Sequence, residues 1–241
     1  MQRFQFCITM SLMVSLMIGS ICYADGIEPI PSLNNILRSS IPDKNNSPAT
    51  QEMEYSIKKF YYQIQYQDQK LQLLNEVKGH FETSISKAEE KYDEGEEDIS
   101  QSNITKLKLG LAGTLNDIFG VEADLQISRL SLFEILKSEY DPEAELLEPN
   151  ISPVEFDFAD YLDWSGQGSE LSRNISLKKA FLRVVEAKKK MLLVRKNRKM
   201  TRALLVSEVA NYDFGIGDSA DLFQALIIYT RVLSGYYDSV Y

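Results

Sequence analysis

The sequence predicts an all-α protein built from two long antiparallel coiled-coil hairpins, related as an internal repeat, with at most one short strand. Three observations carry that prediction. Apolar residues recur every seven positions along two long proline-free stretches, glycine and proline gather in a few separating segments, and a Tyr-Asp-x-Gly turn occurs twice at matching places. A repeat of seven, against 3.6 residues per turn for a straight helix, implies left-handed supercoiling of helix on helix.

Residues 1–24 have the make-up of a secretory signal. Arg3 precedes an apolar run from Phe4 to Ile21, and Cys22-Tyr23-Ala24 sets small residues three and one before a cut after Ala24. A membrane anchor is the alternative, since about 18 apolar residues just span a bilayer. Lipid attachment at Cys22 is disfavoured by Ile21, which stands where a small residue is needed. Both cysteines, Cys7 and Cys22, fall inside the removed segment, so the mature chain has no thiol, disulfide or cysteine metal ligand. Cleavage removes one cation and leaves 25 basic and 35 acidic residues, a net charge of −10. Such a chain repels nucleic acid.

Residues 25–50 place Pro29, Pro31, Pro42 and Pro48 among Ser and Asn, the composition of an extended leader. Residues 51–140 form the first predicted hairpin. From about Glu52 to Tyr92, Ile57, Ile64, Leu71, Ile85 and Tyr92 follow a seven-residue spacing broken only by Lys78. Phe60, Leu74, Phe81 and Ala88 occupy the companion positions, with Gln67 as the exception. After a polar turn, Asp93 to Asp98, the pattern resumes near Ile104 and runs through Leu111, Ile118, Leu125 and Leu132, supported by Val121 and Ile135. Each arm is then roughly 50–60 Å long.

Residues 141–175 interrupt the pattern with Pro142, Pro149, Pro153, Gly166 and Gly168 and hold the only tryptophan, Trp164. Phe156, Phe158 and Asp160 alternate briefly. A membrane-spanning strand needs about 9–11 alternating residues, so an irregular connection is expected here. Residues 176–241 form the second hairpin: a helix from about Ile175 to Asn211, a turn over Tyr212 to Ser219, and a shorter helix from near Ala220. Unequal arms leave part of one apolar face uncovered.

Tyr92-Asp93-Glu94-Gly95 closes the first helix and Tyr212-Asp213-Phe214-Gly215 the third. Glycine suits both places because helices commonly end on a residue of positive φ. The Asp and Ser residues that follow suit the start of the next helix. Capping alone accounts for either turn, but the recurrence points to a duplicated unit.

The second turn, from Tyr212 to Ala225, resembles the periplasmic turn of TolC-like outer-membrane efflux proteins. Gly215, Asp221, Leu222 and Ala225 match that family's Gly, the Asp six residues later, Leu and small residue. The first turn, Gly95 to Ile104, is two residues longer and has Asn103 where the second has Asp221. The resemblance covers about 52–140 and 175–241 and implies a homo-oligomer, a trimer, in the periplasm or outer membrane of a Gram-negative bacterium. It further implies that the helix-turn tips dock a periplasmic adaptor and an inner-membrane transporter in an efflux or type I secretion assembly. The tip residues Tyr92, Asp93, Gly95, Tyr212, Asp213, Gly215, Gly217, Asp218 and Asp221 would carry that docking. A second expectation is a periplasmic coiled-coil scaffold that conducts nothing, favoured by the lack of paired alternating strands between the hairpins.

Catalytic chemistry is not expected. His80 is the sole histidine, and Ser219 has no base near it in sequence. The acidic turn lacks the Asp-x-Asp-x-Asp-Gly spacing of a calcium loop. No phosphate loop, nucleophile elbow or paired catalytic carboxylates occur, so neither a cofactor nor a metal is expected. A basic run, Lys188 to Lys199, reads as a solvated face or as a surface for acidic partners.

Overall fold

The computed structural model describes residues 28–41, 47–95, 99–137 and 140–241. The expected signal segment 1–24 and Glu96 to Asp98 of the acidic turn lie outside the described residues. Helix accounts for 77% of what is described, and no strand occurs there. In chain order the helices are α1 (Leu33–Ser40), α2 (Pro48–Asp93), α3 (Gln101–Ile135), α4 (Tyr161–Ser165), α5 (Ile175–Asp213) and α6 (Ser219–Val240), with a 3₁₀ turn at Leu171–Arg173. Among the described residues no helix is long and apolar enough to cross a membrane.

Hairpin one pairs α2 with α3, and the seven-residue pattern is its seam. On α2 the chain buries Ile57, Ile64, Gln67, Leu74, Phe81, Ile85 and Ala88. On α3 the buried set is Ile104, Leu107, Thr114, Ile118, Val121, Leu125, Ser128 and Leu132, which steps by three and four once the half-buried Leu111 is set between Leu107 and Thr114. Thr114 and Ser128 are tolerated in the seam because each hydroxyl donates one turn back, to the carbonyls of Gly110 (3.0 Å) and Asp124 (2.8 Å). Tyr92 departs from the expected pattern and is exposed. It stands in the last turn of α2, next to the interhelical turn, and is 45% exposed.

Hairpin two pairs α5 with α6. Helix α6 also packs on α2 and α3, whereas α5 packs chiefly on α6. A core near the tips therefore draws on all four long helices: Val77 and Phe81 of α2, Leu107 of α3, Leu205 and Tyr212 of α5, and Leu222, Leu226 and Tyr229 of α6. Gly110 makes this packing possible, because a β-carbon there would lie 2.7 Å from the Phe81 ring and 2.8 Å from that of Phe223. Towards its N-terminus α5 buries only Phe181, and Leu182, Leu192 and Leu193 are exposed. Helix α6 (22 residues) runs along only part of α5 (39 residues).

The leader differs from its expected extended form. Leu33–Ser40 is helical, and its Leu33 and Ile36 join Ile57, Tyr61, Leu125 and Leu132 in a second core. Ile30 pairs in parallel with Leu146 as an isolated bridge, tying the leader to the connection. Pro48 is the first residue of α2, behind the cap Ser47, whose side chain accepts from Thr50 N (3.2 Å). Proline is well suited to a first helical position, where its missing N–H costs no hydrogen bond. The connection holds α4, and its Phe156, Phe158, Tyr161 and Trp164 cluster with Phe181 of α5, with ring centroids 5.1–6.0 Å apart.

Candidate functional site

Both interhelical turns lie at one end of the molecule. Lys87 of α2 reaches Asp213 of α5 at 2.5 Å, and the Lys91 amine lies 3.3 Å from where a Gly215 β-carbon would stand. A shallow pocket of about 300 Å³ between the tips is lined by Lys91, Ile99, Tyr212 and the residues from Gly215 to Ser219.

The two turns share one termination geometry. Gly95 has φ +82° and Gly215 φ +70°, the left-handed region that a side chain disfavours. Each glycine N–H donates to the carbonyl of the repeated tyrosine, Gly95 to Tyr92 and Gly215 to Tyr212, both at 3.1 Å. The second turn goes further: Ile216 N and Gly217 N both donate to Asn211 O at 3.0 Å. With the Gly215 bond this completes the Schellman arrangement.

Re-entry into the following helix uses different caps. Ser100 accepts from Asn103 N (3.2 Å) at α3, and Asp218 accepts from Ala220 N (2.9 Å) at α6. Asp221 lies in the first turn of α6, where the helix dipole favours a negative charge.

The nine expected tip residues separate into two groups. Tyr92, Asp93, Gly95, Asp213, Gly215, Asp218 and Asp221 are exposed. Tyr212 and Gly217 are not free docking surface. Tyr212 is only 3% exposed, against 45% for Tyr92, and its hydroxyl donates to the Ser84 carbonyl of α2 (3.3 Å). Burial first, then the charges of Asp213 and Asp218, raise its phenol above the ordinary tyrosine range. Tyr212 thus fastens hairpin two to hairpin one. Gly217 is half-buried because it presses on the last turn of α5: a β-carbon there would lie 2.8 Å from Asn211 Cβ.

Two residues outside the expected set dominate the surface of the second tip. Phe214 is 80% exposed and Ile216 78% exposed, and they flank the positive-φ glycine. Their signal was legible: two large apolar side chains in a turn that has no helical face to bury them. No protein-family model, curated protein or solved structure matches the chain. The tip combines a rigid backbone, two protruding apolar side chains and three carboxylates, those of Asp213, Asp218 and Asp221. Such a surface suits contact with another protein that offers an apolar notch edged by cations.

Proposed function

We propose that this chain is an exported component of an efflux or type I secretion assembly, whose paired helix-turn tips dock a periplasmic adaptor. The reading rests on the TolC-like motif of the second turn and extends to a trimer engaging an inner-membrane transporter through that adaptor. The observation that supports it best is the exposed Phe214–Ile216 pair, held on a fixed turn and bordered by carboxylates. Apolar anchors set in a polar rim are the usual energetic centre of a protein interface.

The test places a photo-crosslinker at position 216 and separately introduces Phe214→Ser and Asp221→Lys. Asp221 is the better charge reversal, because Asp218 also caps α6 and its loss would disturb the helix itself. The crosslinker should trap an adaptor with its own helical hairpin, and each substitution should abolish the product with helix content unchanged. A scaffold that binds along the basic flank of α5 would instead ignore the tip and lose its partner on Arg195→Glu, and that result would replace the export reading.

A further inference from the structure

A second site lies away from the tips, in the trough where α6 forms a floor between α2 and α5. Its volume is about 590 Å³. Leu73, Tyr229 and Leu233 form a buried apolar floor, and Arg195, Arg198, Lys199 and Arg202 line the α5 side. These four cations fall at i, i+3, i+4 and i+7, a single helix face, so each repels its neighbours along α5.

Among the described residues none of the four forms an ion pair with a carboxylate. The one acid lining the trough, Glu76, pairs with its floor: the Tyr229 hydroxyl lies 3.1 Å from both carboxylate oxygens and shares its one proton between them. Arg198 is already oriented, its guanidinium 4.5 Å from the centre of the Tyr236 ring. A stacked guanidinium keeps its in-plane N–H groups free to bind an oxyanion in two-point fashion. The four cations against Glu76 leave an excess of positive charge over an apolar floor, in a chain of net charge −9.

We propose that this trough binds a phosphorylated amphiphile, its phosphate charges held by the α5 cations and its apolar part lying on Leu73, Tyr229 and Leu233. A phosphate monoester supplies close to two negative charges and three acceptor oxygens in one compact group, which suits several converging donors better than one carboxylate does. Arg198 is 15 residues from Asp213, about 22 Å along α5, so the site stands or falls independently of tip docking.

Calorimetric titration of the purified protein tests this with three probes at matched ionic strength: dihexanoyl phosphatidic acid below its micelle concentration, dihexanoyl phosphatidylcholine, and inorganic pyrophosphate. Phosphatidic acid should bind at least tenfold more tightly than either of the others. Arg198→Gln/Arg202→Gln should weaken it at least tenfold, and Lys199→Gln alone severalfold, should the double variant fold poorly. Lys189→Gln/Lys196→Gln, which removes cations of α5 outside the trough, should change nothing. Equal loss in both double variants would reduce the effect to general attraction by a basic helix and overturn the site. Equal affinity for phosphatidylcholine would remove the role of the cations, and equal affinity for pyrophosphate would remove that of the floor; either overturns the proposal.

Discussion

Replacing Gly217 with alanine tests whether the second tip is held by a close backbone approach. The added β-carbon would stand 2.8 Å from Asn211 Cβ, 3.0 Å from the Asn211 carbonyl carbon and 3.0 Å from Tyr212 N. Carbon atoms in comfortable contact are about 3.5–4.0 Å apart, so the turn must shift by roughly half an ångström or more. The turn is poorly able to yield, because Ile216 N and Gly217 N are both bonded to the same Asn211 carbonyl. Overpacking of this kind costs about 1–3 kcal/mol. For a chain of this size each kcal/mol is worth about 2–4 °C, so thermal unfolding followed by circular dichroism should show a fall of about 2–12 °C. Gly79 supplies the control: it is exposed in the middle of α2 with nothing within 4 Å of a new β-carbon. Gly79→Ala should stabilise by roughly 0.5–1 kcal/mol through backbone entropy. If Gly217→Ala unfolds with the wild type, or if both alanines shift stability in the same direction, the close-approach account of the tip is wrong.

Phe81→Ala should cost about 3–5 kcal/mol, since Phe81 is fully buried where α2, α3 and α6 meet. Urea unfolding reads this as a lower midpoint. Tyr229 is pushed up to about 12, first by burial and then by the Glu76 carboxylate. Its neutral form is therefore the one that stabilises the fold. That contribution is complete below about pH 10, the unfolded tyrosine value, and is lost as pH rises through about 12. The stability advantage of wild type over Tyr229→Phe should thus hold at pH 9 and shrink steadily above pH 10; a gap unchanged at pH 11.5 would contradict the Glu76–Tyr229 contact. Gly215→Ala, at φ +70°, should cost about 1–2 kcal/mol, read from the same unfolding curves.

Much of the fold was legible because helices are written locally. The apolar spacing of Ile57, Ile64 and Leu74, and of Ile104, Ile118 and Leu125, marked which faces would be buried. The boundaries of α5 and α6 agree with the turn predicted over Tyr212 to Ser219 to within two residues. Glycines at 95 and 215 announced positive φ, and both have it. The leader was misread because prolines on either side masked a short amphipathic segment. Ile30, Leu33 and Ile36 show an apolar face only when set against the base of hairpin one.

The sequence by itself determined the four long helices, their seams and the two capped turns, because caps and periodicity act between residues a few positions apart. Tertiary structure decided what no local pattern contains. It set α6 against α2, α3 and α5 together, and made Gly110 and Gly217 points of contact instead of mere gaps. It also gave the two repeated tyrosines opposite fates, Tyr212 buried under α2 and Tyr92 open to solvent. Identical local signals diverge there because burial depends on which distant surface arrives opposite a residue, and that is settled only when the hairpins pack.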